Sequence, residues 1–297
     1  MTSSPTARGR TIAITGASGL IGRHLADHFR RREWNVRALV RDPSRSPFAE
    51  RDIEVLRAEL PDAIDERAFE GADVVIHAAY ATAESRADTA RRVNEVGTAR
   101  VLAASRAAGV HRFVFVSSFA AHPDARSYYG RSKLALERQL DSVRDLVIRP
   151  GLVLAPSGGL FERMRRSIES SPVVPLVGGG RQILQTVHID DLCVAFERAV
   201  QLDLTGALNV AEPEGVKMRA FIEMMAARLN RRARLVPIPA QSMLVVVRAL
   251  ERLRLPLPVS SENVLGLLAM RHTPTARDLA RLGIRVRTTG ESLEELI

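Results

Sequence analysis

The first half of the chain alternates short β-branched, apolar runs with stretches whose apolar positions recur at helical spacing. TIAIT (11–15), NVRALV (35–40), IEVLR (53–57), DVVIHAA (73–79), RFVFVSS (112–118) and DLVIRP (145–150) read as strands, with amphipathic helical patterns between most of them. Near-continuous apolar runs suit strands covered on both faces. Their alternation with helices predicts an α/β chain built on a doubly wound parallel sheet.

After Pro150 the pattern loosens. GGLFERMRRSIESS has helical spacing, PVVPLVGGGRQ reads as a loop punctuated by Pro and Gly, and LQTVHI reads as a strand running into a helix that Asp190 or Asp191 caps. GALNVAE returns as a strand. From Val216 onward helical patterns alternate with the Pro-rich breaks VPIPA and LPLPVSS, which predicts a smaller, mostly helical C-terminal subdomain.

At 297 residues and 46% apolar, the chain is long enough for one large α/β unit or two packed domains, and disorder of the whole chain is excluded. Cys193, the sole cysteine, cannot form an internal disulfide and sits in the periodic DLCVAFERAV as helix core, which fits a reducing, cytoplasmic setting. The opening MTSSPTARGR lacks the apolar centre of a signal peptide and reads as a polar leader. SMLVVVRALERLRL is broken by Arg248 and too short to span a bilayer. Its spacing predicts a packed helix, and no membrane partner is expected. A formal charge of +9 invites nucleic acid, but the arginines are dispersed among acids, as in RAFEGAD and LALERQLDSVRD, and read as solvated helix faces. The expected partner is a small molecule, one carrying phosphate included.

TIAITGASGLIGRHLADHF places Gly16, Gly19 and Gly22 between the first strand and the first helix. Such a turn lets a phosphate approach the backbone closely, at a helix terminus whose N–H groups and dipole favour an anion. The spacing suits a dinucleotide pyrophosphate and makes the fold Rossmann-type. Candidate cofactor contacts are Gly16, Ser18, Gly19, Leu20, Ile21 and Gly22, with Ala78 and Ala79 after the DVVIH run. The expected division is residues 10–150 plus about 183–212 for the dinucleotide and 151–182 plus 213–297 for the substrate.

An acid near the end of the second strand marks NAD sites, whereas a cation there accommodates the 2′-phosphate of NADP. Val40 stands where the acid would be, followed by Arg41, with Ser44 and Arg45 nearby. NADP is therefore expected over NAD, with Arg41 as selector. Two other readings stay open: Arg41–Asp42 as a plain surface turn, and Asp42 as a ribose partner.

The chain has 43 Lys plus Arg, of which only Lys133 and Lys217 are lysines, and Lys133 falls four residues after Tyr129 in SYYGRSK. That spacing stacks the two on one helix face. An ammonium beside a phenol stabilises phenolate and lowers its pKa, and its compact shape can also reach a ribose hydroxyl. Ser118, ending FVFVSS, is expected at the carboxyl edge of the sheet, where its hydroxyl can hold a substrate oxygen.

Together TGASGLIG, DVVIHAA, VNEVGTARVL, VSS, YYGRSK, RPG and VHIDDL resemble the extended and atypical short-chain dehydrogenase/reductases, the NAD-dependent epimerase/dehydratase-like group, from about Thr11 to Glu212. The resemblance implies Tyr129 as general acid/base, Lys133 as its pKa modifier and ribose ligand, and Ser118 as the group that polarises the substrate oxygen. It also implies Asn94 as organiser of a water-linked proton path, with helix packing as the plain alternative. Ser117 replaces Ser118 if the strand end shifts by one. His188 and Asp191 match a typical segment and read as structural. No metal set is implied, and members of the group occur as homodimers, so monomer and homodimer both stay open.

Two departures bear on the reaction. Nucleotide-sugar members carry an Arg-Asp-aromatic triplet where this chain has Leu184, Gln185 and Thr186, leaving only Arg181 nearby to take the arginine's part. The FAAHPDARSY connection from Ser118 to Tyr129 is also short. The expected activity is thus an NADPH-dependent ketoreductase or alcohol dehydrogenase acting on a small or medium, mostly apolar metabolite. The alternatives are a nucleotide-sugar epimerase or dehydratase with resident NAD, and a non-catalytic dinucleotide sensor.

Overall fold

A computed structural model describes residues 9–48, 51–81, 87–253 and 260–297 of the chain. The amino-terminal part runs β1 (Thr11–Thr15), α1 (Leu20–Arg31), β2 (Asn35–Val40), β3 (Glu54–Glu59), β4 (Ala63–Ile64), β5 (Val74–His77), α2 (Ala87–Arg91), α3 (Gly97–Ala107) and β6 (Arg112–Val116). Next come α4 (Tyr128–Glu137), β7 (Leu146–Pro150), β8 (Leu152–Leu154), α5 (Gly159–Ser170), β9 (Val173–Val177), β10 (Ile183–Leu184), β11 (Thr186–His188), α6 (Ile189–Gln201) and β12 (Gly206–Val210). The chain closes with β13 (Val216–Lys217), α7 (Met218–Arg228), β14 (Arg234–Ile238), α8 (Ala240–Arg252), α9 (Ser261–Leu268), α10 (Ala276–Leu282) and α11 (Thr289–Leu296).

The main sheet has eight strands in the order β12-β7-β6-β5-β1-β2-β3-β4. The pairs β7/β6, β6/β5, β5/β1, β1/β2 and β2/β3 are parallel, and β4 closes one edge antiparallel to β3. Connections reverse direction between β1 and β5, the switch point at which doubly wound sheets bind ligands beyond their carboxyl ends. This is the fold the sequence predicts. The alternation is legible because β1 and β5 are buried along their whole length, while α1 hides Gly22, Leu25, Ala26 and Phe29 at helical spacing.

Contacts divide the chain into two compact units: Met1–Val116 with Leu136–Ile148 and Phe196–Ala207, and Ser117–Ala135 with Arg149–Ala195 and Leu208–Ile297. The first is cored by residues such as Leu39, Phe69, Val75, Val101 and Phe115, the second by Phe161, Leu184, Phe221, Met225 and Leu293.

Two expectations fail in the second unit. PVVPLVGGGRQ and VPIPA, expected as loop and break, supply β9 and β14, which pair in parallel with Pro175 opposite Val236 and Leu176 opposite Pro237. Proline lacks an N–H, but both strands of a two-stranded ribbon are edges, where a missing donor is tolerated. The helix expected to be packed, α8, packs on one side, burying Val247 with Met243, Leu244 and Leu250 half-buried.

Candidate coenzyme and catalytic site

In the first unit the glycine turn joins β1 to α1. Gly16 has φ +65°, and a Cβ there would lie 2.6 Å from Ala79 Cα and 2.7 Å from Ala79 N. The exits of β1 and β5 press together at this point, so residue 16 needs both the left-handed conformation and the missing side chain. Gly19 N–H donates to Gly16 O (2.9 Å), and Gly19 caps α1 without any side-chain bond. With no acid in its first turn, α1 leaves its leading N–H groups to an anion. Ser18 and Gly19 are exposed, Leu20 and Ile21 half-buried, and Gly22 packs onto the turn, its absent Cβ 2.8 Å from Ala17 Cα. The turn thus fits a pyrophosphate.

Beyond β2, Arg41 and Asp42 are exposed. Asp42 is spent locally: Oδ1 accepts from Ser44 N (3.0 Å) and Ser44 Oγ (2.7 Å), and Oδ2 lies 3.7 Å from Arg45. Among the described residues no ion pair or hydrogen bond engages the Arg41 side chain, which remains available to a phosphate.

The β5 exit is held by a buried polar chain that the sequence reading passed over. His77 meets Thr15 Oγ1 through Nδ1 (2.6 Å) and Thr98 Oγ1 through Nε2 (2.9 Å), and Thr98 donates to Asn94 O (2.6 Å). The imidazole stacks with Phe113 and Phe115. Asn94 lies in a π-helical turn, Arg92–Val96, and its Oδ1 accepts from Ala81 N (2.7 Å), so the side chain steadies the strand exit. Its Nδ2 is buried with no acceptor among the described residues. Tyr80 packs against the core of this unit.

In the second unit β6 has ended, and Ser117 is buried while Ser118 is half-buried. Ser118 Oγ accepts from Ala120 N (3.2 Å), and its hydroxyl is hydrogen-bonded to the phenol of Tyr129. Of the two serines, Ser118 therefore joins the tyrosine. Lys133, one helical turn on from Tyr129, is only 3% exposed. Burial raises the Tyr129 pKa above its ordinary 10, and the Ser118 bond offsets this only in part. The net direction is opposite to the depression expected from Lys133, because desolvating phenolate outweighs the stabilising contacts.

Three supports of this helix carried no clear sequence signal. Ser127 caps α4, accepting from Gly130 N (3.2 Å), and Glu262 in α9 accepts from Tyr128 N. Gly130 lets α4 lie against the loop after Ser118: a Cβ there would be 2.9 Å from Ala125 Cβ. The loop is also tied to the segment after α9, with Asp124 3.2 Å from Arg271 and His122 bonded to the Ala269 carbonyl.

Gln185, central to the missing triplet, is buried. Its Nε2 donates to the carbonyls of Glu212 (3.0 Å), Pro213 (3.2 Å) and Thr273 (2.9 Å), and its Oε1 accepts from Thr273 N (2.7 Å). Arg181 is exposed and donates weakly to Gly178 O (3.4 Å). His188 is likewise internal, accepting at Nδ1 from Asp190 N and Arg287 (both 3.2 Å), while Arg287 pairs with Asp191.

A family model described as the NAD dependent epimerase/dehydratase family matches residues 12–211. The ceramide reductase of Caulobacter vibrioides (strain NA1000 / CB15N) is 34% identical over 248 residues, 78% of this chain and 74% of that protein. The 3-diazoavenalumate denitrifying reductase of a Streptomyces species is 33% identical over 254 residues, 74% of this chain and 81% of its own. Among solved structures, the human epimerase family protein SDR39U1 (isoform 2) with NADPH superposes with a TM-score of 0.72 at 20% identity, covering 96% of this chain and 98% of that one.

Proposed function

Because the chain belongs to the NAD-dependent epimerase/dehydratase family, an extended short-chain dehydrogenase/reductase group of NAD(P)-dependent enzymes, we propose that it is an NADPH-dependent ketoreductase. Its substrate is a small or medium, mostly apolar carbonyl metabolite. The reductases among its relatives support reduction over epimerisation, and the NADPH bound by the human neighbour is in keeping with Arg41 as selector.

The observation that carries the reading is the Ser118–Tyr129 pair. The half-buried phenol, its pKa raised by desolvation, is protonated at neutral pH as any tyrosine is, in the state a carbonyl reduction consumes. Ser118 and Tyr129 hold the substrate oxygen by hydrogen bonds, and as negative charge develops there Tyr129 transfers its proton to it. The bound nicotinamide supplies the hydride. The product is the alcohol, with one C–H and one O–H bond gained. Lys133, buried one turn away, stabilises the phenolate that is left until solvent reprotonates it. The uncapped start of α1 binds the pyrophosphate and Arg41 the 2′-phosphate. Gln185, committed to the backbone at 212–213 and 273, offers a sugar nucleotide no clamp.

The test is NADPH oxidation across a panel of aliphatic and aromatic ketones with the wild type and Tyr129→Phe. The variant should bind NADPH as the wild type does and lose turnover by at least ~100-fold, the scale of general-acid contributions. Undiminished turnover would refute the mechanism. Tightly held NAD with substrate conversion and no net coenzyme consumption would replace the reading with an epimerase.

A further inference from the structure

Large apolar side chains exposed singly are ordinary, but on this chain they gather on one helix. Among the described residues eight large hydrophobics are exposed, and three of them lie along or at the end of α8: Val245 at 68%, Val246 at 53% and Leu253 at 69%. Val245, Ala249 and Leu253 follow one another at four-residue intervals, which puts them in a line along the helix, with Val246 beside it. Arg248 and Arg252, also four apart, form a second exposed row along one margin of that line. No acid shares this face: Glu251, the helix's sole acid, turns to α9, where its Oε1 accepts from Ser261 N (2.8 Å). Val247, on the opposite side, is the residue α8 buries.

We propose that this face of α8 docks peripherally on an anionic lipid surface. An apolar stripe edged by arginines and free of acids is the arrangement with which an interfacial helix lies in the plane of the headgroups. Valine and leucine enter the acyl boundary while the guanidinium groups reach lipid phosphates. No helix among the described residues is long and apolar enough to cross a membrane, and the docking proposed is superficial. A second copy of the chain fits this face poorly. A two-fold contact would bring the Arg248 and Arg252 rows toward their own copies, and one 13-residue helix face, about 20 Å by 10 Å, falls far short of the ~800 Å² per partner of a stable dimer. The inference is independent of the carbonyl chemistry proposed above.

The experiment is flotation of the full chain with vesicles of phosphatidylglycerol and phosphatidylethanolamine, against phosphatidylcholine vesicles, at 0.15 M and 1 M salt. The wild type should float with anionic vesicles at 0.15 M, less at 1 M, and not with neutral ones. Arg248→Gln with Arg252→Gln should weaken anionic binding about 30-fold, at roughly 1 kcal/mol per surface cation. A second variant, Val245→Ser with Val246→Ser and Leu253→Ser, should abolish binding at both salt concentrations. Circular dichroism and NADPH affinity, both expected to match the wild type, verify that the variants fold. Absence of wild-type flotation, equal binding to neutral vesicles, or wild-type binding by both variants would overturn the proposal. So would a self-association in analytical ultracentrifugation that the triple variant removes.

Discussion

Replacing Arg41 with alanine is the sharpest probe of coenzyme choice, because this side chain has nothing else to lose. Among the described residues it makes no ion pair, and it is exposed, so the substitution should leave folding stability within about 0.5 kcal/mol. Its neighbour cannot take over: Asp42 carries the wrong sign for a phosphate, and both its oxygens are engaged by Ser44 and Arg45. A charge-assisted contact contributes about 1.5–3 kcal/mol, so Arg41→Ala should weaken NADPH about 10- to 150-fold. NADH lacks the 2′-phosphate and should bind both proteins alike.

The assay is calorimetric titration of wild type and variant with each coenzyme in one buffer at 0.15 M salt, repeated at 0.5 M. The wild-type preference for NADPH should shrink at the higher salt, since exposed charge contacts are screened over a Debye length of about 8 Å already at physiological ionic strength. A variant that loses NADPH and NADH affinity equally would mean that Arg41 shapes the site without reading the phosphate. An unchanged NADPH affinity would remove it as selector altogether.

Gln185→Leu should lower the melting temperature by roughly 5 °C or more in differential scanning fluorimetry, since it leaves the amide and carbonyl of Thr273 and the carbonyls of Glu212 and Pro213 without that partner, at ~1–3 kcal/mol per stranded group; an unshifted transition would refute its clamping role. Gly130→Ala should reduce turnover at least ~10-fold with NADPH affinity retained, because the new methyl must displace the 120–125 loop beside Tyr129; full activity would show that the loop yields freely. Burial, the largest influence at each, holds His28, His122 and His188 below the ordinary 6.5, so the unfolded chain takes up more protons as pH falls. The stability they confer is complete above about pH 6.5 and is lost as pH drops toward their folded values, so thermal melts should shift down between pH 7 and 5.5; a flat profile would refute this.

The doubly wound sheet was legible because its inner strands β1, β5 and β6 are short buried runs and α1 carries its buried residues on one stripe, local patterns that need no tertiary information. The second unit was harder to read for a physical reason. Pro175 and Pro237 argue against a strand wherever every N–H is needed, and only the tertiary fact that β9 and β14 form an isolated pair removes the objection. At α8 the spacing held for one side only: Val247 is buried and Met243, Leu244 and Leu250 half-buried, while Val245, Val246 and Leu253 face outward, since periodicity reports that a stripe exists but not what covers it. At the candidate site, Gly16, Gly19, Tyr129 and Lys133 stood out through spacing and scarcity. Glu262 and Arg271 did not, since they reach the tyrosine helix and its loop only through folding of α9 and the segment after it, more than 130 residues further along the chain.

The raised pKa of Tyr129 bears on the protonation state from which the proposed chemistry starts. A lysine one turn away suggests a phenolate poised near neutrality, which serves alcohol oxidation as well as carbonyl reduction. Tyr129 is instead half-buried and hydrogen-bonded to Ser118, and desolvation of the phenol is the larger influence. A proton donor loses nothing by this, because it enters the reaction neutral and becomes charged only as the substrate oxygen gains its proton, when Ser118 and the neighbouring ammonium count most. A base would have to start charged in a site that disfavours charge. By microscopic reversibility the same Tyr129 serves both directions, so coenzyme and substrate levels set the net direction, and the commitment of Gln185 to backbone bears only on the binding of a sugar nucleotide.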